Sequence, residues 1–459
     1  MNRVLGIIRA GIVCSLFCVL LFTAAVQSQQ SPQPTGAGAA TPPAAYAITH
    51  AKVFTLAGAP IEDGTVVIRD GKIFAVGAGI QIPSDAQVID GHGLQIYPGL
   101  FDSITQMGLR EIGAVNATVD ETETGDFNPD VIAATAILPS SEHITVTRAA
   151  GITEVLAVPA SGGMDSFGSS GLLGGQASAI NLSGWTINEM LIKKSAAMVI
   201  NWPSIETRSF DFTTFSVKEK PYSEAKTEYD KHVNELADWL ERARHYAQAL
   251  GHAGPADYNA DVRLAALVPV VRGQLPVLVF ADQARDIRNA VEFCDKQKLK
   301  MILAGGAEAY KVKDLLRSKN VPVILRPVLT EPSERDDPYD RPLTQPAELA
   351  AAGVKFAFAS FDNSFARRLG QNAANAVAYG LPYDEALKAV TIYPAQIFGL
   401  GDQFGTLELG KAANLIVTNG DPLELTTDIR YLFIRGQLTS TDNKQLRLYE
   451  KYKNRPKGK

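Results

Sequence analysis

Two periodicities divide the chain. From Tyr46 to Tyr97 short runs alternate apolar and polar positions between turn residues: AYAITHAKVFTLAG, DGTVVIRDGKIFAVGAG and AQVIDGHGLQIYP. A period of two marks half-buried strands, and Asp70-Gly71 between TVVIR and KIFAV is a hairpin signal. This segment is predicted to be a small all-β unit. At Pro98-Gly99 the ladder must break. Beyond it apolar strand runs alternate with amphipathic helices: LFDSI, AATAILPSSEHITVTRAAG and ITEVLAVPAS first, then LPVLVFAD, QARDIRNAVEFCDKQK, LKMILAG, AEAYKVKDLLRSKN, VPVILRPV, AELAAAG, VKFAFAS and RRLGQNAANAVAYG. Such alternation indicates an α/β fold with a parallel sheet, and this many units favour a (β/α)8 TIM-like barrel over about residues 98–395.

Two stretches stand outside the pattern. GGMDSFGSSGLLGGQ (162–176) reads as a Gly-Ser loop after a strand, on the barrel face that carries active sites. Glycine there allows motion or close approach to a ligand, and a merely flexible loop reads the same. Residues 187–250 read as a helical insertion over the barrel rim, with Leu236, Trp239, Leu240, Ala243, Tyr246 and Leu250 on one apolar face.

Composition adds little to the fold and more to the address. The 459 residues are 46% apolar and 20% charged, ordinary for a globular chain with ample core. The formal charge of -5 comes without a basic domain, so nucleic acid is not an expected partner. Arg3 and Arg9 followed by the apolar run Gly11 to Val26 and by TAAVQSQQ predict an export signal over residues 1–28, cleaved near Ser28. Its apolar run is short for a membrane span. Loss of the two arginines takes the charge from -5 to -7. Residues 29–45 read as a flexible linker, and the mature chain is expected outside the cytoplasm. Cys14 and Cys18 leave with the signal, so Cys294 has no intrachain disulfide partner and is placed with Ile287 and Val291 on an apolar helix face. Residues 441–459 carry seven Lys/Arg against two acids and read as a solvated basic tail.

The run GHGLQIYPGLFDSITQMG, Gly91 to Gly108, resembles the PG-[LF]-ID-x-HxH segment that opens the barrel of metal-dependent amidohydrolases, especially the imidazolonepropionase-like branch. GTLELGKAANLIVTNGDPLELTTDIRYLFIRGQL (405–438) resembles that family's returning segment G-x-L-x-x-G-K-x-A-D-L-x-V-x-x-G-D-P, with Asn414 in place of the usual Asp. The resemblance implies a barrel flanked by a composite β-sandwich, one part from residues 46–97 and the other from 396–440. It also implies hydrolysis of a C–N bond in an amide or dipeptide-like substrate, with a divalent metal activating water. The family's ligands lie at strand ends. Here the two histidines of HxH fall on Ile104 and Gln106, a later histidine on Phe280, and the next on Ala304 or Gly305. The aspartate of the last strand is either displaced to Asp362 or replaced by Phe361. None of the six histidines lies at a barrel strand end, so neither a metal nor another cofactor is expected.

Polar groups remain at or after the predicted strand ends. Asp282 and Asp362 are candidate general acid and base. Gln106, Glu111, Asp120, Gln176, Arg285 and Arg326 are candidate substrate-binding residues, with Glu121, Glu123 and Glu308 beside them. The acidic run TVDETETGD (118–126) is expected to overhang the mouth. The chain therefore reads as an exported amidohydrolase-family protein with a degenerate metal site. Open alternatives are a barrel that has lost metal catalysis and binds a small amide or peptide-like ligand, a non-catalytic subunit paired with an active relative, and self-association.

Overall fold

The computed structural model describes residues 43–159, 171–211, 214–250, 260–453 and 455–456. The expected signal, all but the last residues of the linker, and most of the Gly-Ser loop lie outside the described residues.

Eight strands form the barrel sheet in sequence order: β1 (Leu100–Thr105), β2 (Ile152–Ala157), β3 (Leu173–Asn181), β4 (Leu191–Asn201), β5 (Val277–Ala281), β6 (Met301–Gly305), β7 (Val323–Leu325) and β8 (Phe356–Phe358). Every pairing is parallel except those of β3, which runs against both β2 and β4. The sheet nearly closes on itself. Between its first and last strands, Phe361 N–H donates to the Ile104 carbonyl at 2.9 Å, and Asp102 accepts from Ser360. The interior is filled by Phe101, Ile104, Leu156, Leu278, Phe280, Ile302 and Ile324 from the strands, and by Phe398, Leu400 and Phe404 from beyond them. Runs such as VLVFA and MILAG are apolar at every position because both faces of the sheet are covered.

Helices cover the outside. The longest is α1 (Tyr222–Ala249), whose Ala225, Tyr229, Leu236, Leu240 and Ala243 are buried at helical spacing. It is followed by α2 (Val262–Val271), capped by the Asp261 carboxylate, which accepts from Arg263 N and Leu264 N. Next come α3 (Ala284–Lys296), α4 (Lys313–Ser318), α5 (Arg341–Ala351), α6 (Leu369–Ala378) and α7 (Tyr383–Ala389). Cys294 is buried on α3 among Ile287 and Val291, and burial pushes its thiol up to about 12.

The second unit is one hydrogen-bonded sheet drawn from both ends of the chain. Its order is Gln437–Thr439, Ile429–Ile434, Leu415–Thr418, Gln95–Pro98, Ala45–Val53, Ile61–Arg69 and Lys72–Gly77, with Ala86–Asp90 also paired to Ala45–Val53. The seam between the two segments is the antiparallel pairing of Leu415 with Pro98 through Thr418 with Gln95. Ile48, Val53, Val66 and Ile96 share its core with Leu407, Leu415, Val417 and Phe433.

Two sequence readings need correction. The last residues of the supposed Gly-Ser loop, 173–176, are the start of β3, fully buried between two neighbours. Gly175 lies against Val131, whose carbonyl would be 2.9 Å from a Cβ there, and the paired glycines hide the strand's alternation. The stretch 187–250 is not wholly helical. After one short turn at Ile187–Met190 it supplies barrel strand β4 and a hairpin of Arg208–Asp211 with Ser216–Glu219 before α1 begins. Residues 444–453 of the expected basic tail are solvated but ordered as a helix that buries no side chain, started by Asn443, whose side-chain oxygen accepts from Gln445 N and Leu446 N.

Candidate functional site

The positions at which the resemblance places metal ligands lie together at the C-terminal ends of the barrel strands, and most of them are apolar. Ile104, Phe280, Ala304 and Phe361 belong to one buried cluster. The rings of Phe280 and Phe361 meet edge-on, with centroids 6.1 Å apart. Gly305 has no room for a ligand side chain. Its φ is +93°, and a Cβ there would lie 2.5 Å from Asp282 Oδ1. Phe361 itself holds φ at +52°, a left-handed conformation that is costly for a residue with a Cβ. Among the described residues no group of three or more His, Cys, Asp or Glu side chains is arranged to hold a metal ion.

Beside this apolar cap stands one charged pair. Asp282 follows β5 and Arg326 follows β7. Arg326 Nε is 3.2 Å from both carboxylate oxygens and Nη2 is 3.0 Å from Oδ2. The same guanidinium carbon lies 4.8 Å from the centroid of the Phe361 ring. Asp282 also accepts from Ala307 N at 3.3 Å, which ties the pair to the turn after β6. Both side chains keep part of their surface in solvent, so the pair can offer an acceptor and a fork of donors to a ligand.

The other candidates make separate local contacts. Asp362 turns its carboxylate onto its own chain, accepting from Ser364 N and from Phe365 N at 2.7 Å, while its carbonyl accepts from Thr105 Oγ1. It is therefore engaged as a turn cap, and the expected acid–base partnership with Asp282 is not set up by its bonds. Gln106 is buried where its carbonyl receives Leu109 N and Arg110 N, starting the covering loop. Glu111 has one buried oxygen without a partner, and its carbonyl meets His143 Nε2 at 3.0 Å. Asp120 is exposed and bonds Leu109 through its backbone. Glu121, unlike the rest of the acidic run, is buried against Arg110. Gln176 reaches from β3 to the Pro129 carbonyl at 2.9 Å. Arg285 bonds Asp286 and Gln283 at the start of α3. Glu308 caps the same helix, accepting from Ala284 N at 2.7 Å.

Two buried carboxylates went unread in the sequence. Asp102, in the middle of LFDSI on β1, accepts from Ser360 N at 2.9 Å and Ser360 Oγ at 2.5 Å. Burial pushes it up to about 7 against those two bonds, and the nearby charge of Asp362 adds to the rise. Glu154 lies on β2, paired in register with Phe101, the residue before Asp102. Its Oε1 accepts from Asn414 Nδ2 at 2.8 Å, and Thr153 Oγ1 donates to Oε2. Burial pushes it up to about 8. Asn414 also donates to Asn181 Oδ1 and receives Arg435 N. The one departure from the returning-segment pattern is thus the amide that meets a buried carboxyl. A lone acid inside an apolar run was the available signal in both strands.

Comparisons with known proteins agree with this architecture. The sequence model of the Amidohydrolase family matches residues 333–441. Over 404 residues, 79% of this chain, the sequence is 23% identical to Amidohydrolase tasK of Hapsidospora irregularis, and the chain spans only 38% of that relative's length. An amidohydrolase from Thermotoga maritima MSB8 has a TM-score of 0.72 and 25% identity over 86% of this chain and 99% of its own. A prolidase complexed with N-methylphosphonate-L-proline shares the fold at a TM-score of 0.52 and 17% identity, covering 86% of this chain and 99% of its own. Molinate hydrolase does so at 0.53 and 16%, covering 87% and 96%. With its barrel, its sheet built from both chain ends and these likenesses, the chain belongs to the amidohydrolase superfamily.

Proposed function

We propose that this chain is an exported amidohydrolase-superfamily protein with a degenerate metal site, which binds a small amide or peptide-like ligand at the barrel mouth without hydrolysing it by a metal mechanism. The observation that carries this reading is the apolar cap. Ile104, Phe280, Ala304 and Phe361 offer no donor atom where a metal would need ligands, and Asp282 occupies the space beside Gly305. The half-exposed Asp282–Arg326 pair supplies what a zwitterionic ligand needs: an acceptor for an amide or ammonium N–H and a fork for a carboxylate. That one fold neighbour is a prolidase holding a proline-containing phosphonate makes Xaa-Pro dipeptides reasonable first probes. Export rests on Arg3, Arg9 and the apolar run after them.

Purified mature protein exposed to zinc, manganese and iron tests the reading by elemental analysis and by a dipeptide hydrolysis assay, with calorimetry for binding. The expected result is less than one-tenth of an equivalent of metal after dialysis, no metal-dependent turnover, and measurable dipeptide binding. An equivalent of retained metal together with turnover would overturn it. The amino terminus of the protein recovered from the exported fraction should begin near Ser28.

A further inference from the structure

At the opposite end of the barrel from the mouth lies a cavity of about 570 Å³. Its lining includes Pro276, Lys300 and Pro322, which immediately precede β5, β6 and β7, so it opens on the N-terminal face of the sheet. Active sites of such barrels are built on the other face, and the mouth chemistry does not use this cavity. Three lysines line it against one acid. Lys319 is paired with that acid, Asp295, at 2.7 Å. Lys193 and Lys300 make no ion pair among the described residues.

Lys193 has an unusual setting. It lies near the start of β4, partly buried, and spends one N–H on the Phe398 carbonyl at 3.0 Å. Burial draws its ammonium downward, as expected of a cation taken from water without a counter-charge. Above it the chain leaves a gap. Gly399 has φ of +69°, and the nearest neighbour of a Cβ built there would be Lys193 Nζ at 3.7 Å. A Cβ at that position would stand in ordinary contact with the ammonium. Gln396 lines the same cavity and has its oxygen engaged by Lys355, so its amide nitrogen remains a donor.

We propose that this cavity binds a small organic polyanion, a di- or tricarboxylate or a phosphate, with Lys193 as the inner contact and Lys300 as the outer one. The surplus of two cations over acids supplies the charge complementarity, and the volume suits a molecule of about citrate size. A polyanion seated there would satisfy the remaining N–H groups of Lys193 and replace the water it has lost.

Thermal unfolding and calorimetry with inorganic phosphate and with citrate, each compared with sodium chloride at equal ionic strength, test the proposal. The expected result is saturable stabilisation by one of them beyond the chloride control, and the one that acts distinguishes the phosphate from the carboxylate source. Lys193→Met and Lys300→Ala should each weaken that binding about tenfold or more. Lys300 is exposed, so its variant remains informative if the other fails to fold. Modification of Lys193 by an amine-selective reagent, read by mass spectrometry, should slow in the presence of the effective anion. Equal shifts with all three salts, or unchanged affinity in Lys300→Ala, would overturn the proposal.

Discussion

Asp102 and Ser360 close the barrel: the carboxyl on the first strand accepts both the N–H and the hydroxyl of Ser360, just past the last strand. The two residues are far apart in sequence, and their bonds stand where the ladder between β1 and β8 is incomplete. Because Asp102 rises to about 7 on folding from an ordinary 3.8, the folded state holds this proton more tightly than the unfolded chain. The sign follows from linkage. Its protonated form contributes stability in full below pH 3.8, and that contribution is lost as the pH rises to about 7. The loss is on the order of 4 kcal/mol at most. Asp102→Asn should therefore flatten the fall in stability between pH 4 and 7, measured by urea unfolding at several pH values. An unchanged slope in the variant would remove Asp102 from the account.

Glu154 and Asn414 make a second prediction. Asn414→Asp would set a carboxylate against the buried Glu154 carboxyl, where an amide now donates at 2.8 Å. An uncompensated buried charge costs about 3 kcal/mol or more. The double variant Glu154→Gln with Asn414→Asp should recover most of that loss. In it the amide introduced at position 154 can donate where Asn414 does now, and Asn181, whose Nδ2 has no partner at present, can turn its amide toward the new carboxylate. Melting temperatures of the two single variants and the double variant decide this, and additive losses would refute it.

Phe361 should reverse the usual ranking of alanine and glycine. Either truncation removes the ring that packs on Phe280 and lies under Arg326, at a cost of about 3–5 kcal/mol. At φ of +52°, however, alanine keeps the left-handed strain and glycine does not. Phe361→Gly should thus be more stable than Phe361→Ala by about 1 kcal/mol in denaturant unfolding. Equal stability would mean that the backbone relaxes when the ring is gone.

Arg326→Lys separates binding from folding. Lysine keeps the charge and loses the fork and the stacking surface. The pair is partly exposed, so stability should fall by less than about 1 kcal/mol. Dipeptide affinity should fall about tenfold or more if the guanidinium grips a carboxylate. Calorimetry beside a melting curve reads both, and an unchanged affinity would move the ligand away from this pair.

What is legible in the sequence follows from which surfaces are buried. Strands β5 to β8 announce themselves because VLVFA, MILAG, VIL and FAF are covered on both faces. LGGQASAIN is just as buried, but its small residues carry almost no strand signal, so β3 reads as loop. β4 begins with LIKKS and merges, by its letters, with the helical stretch that follows it. At the mouth, strand ends can be located from the pattern but side-chain directions cannot. Asp282 and Asp362 share a face, yet one meets Arg326 and the other folds back onto Ser364 and Phe365. The apolar replacements at Ile104 and Phe280 are plain from the letters. That they close into one cap with Phe361 needs the fold.

The seam of the second sheet also sets an order of events. Residues 95–98 find their antiparallel partner only in residues 415–418, so a ribosome must deliver nearly the whole chain before that edge is paired. Until then the early strands present an open row of donors and acceptors, the condition under which strands join the wrong neighbours. Long-range pairing of this kind is slow to form. Pairing of the closing strands should therefore be the rate-limiting step of maturation, with chaperone contact falling away once it is made.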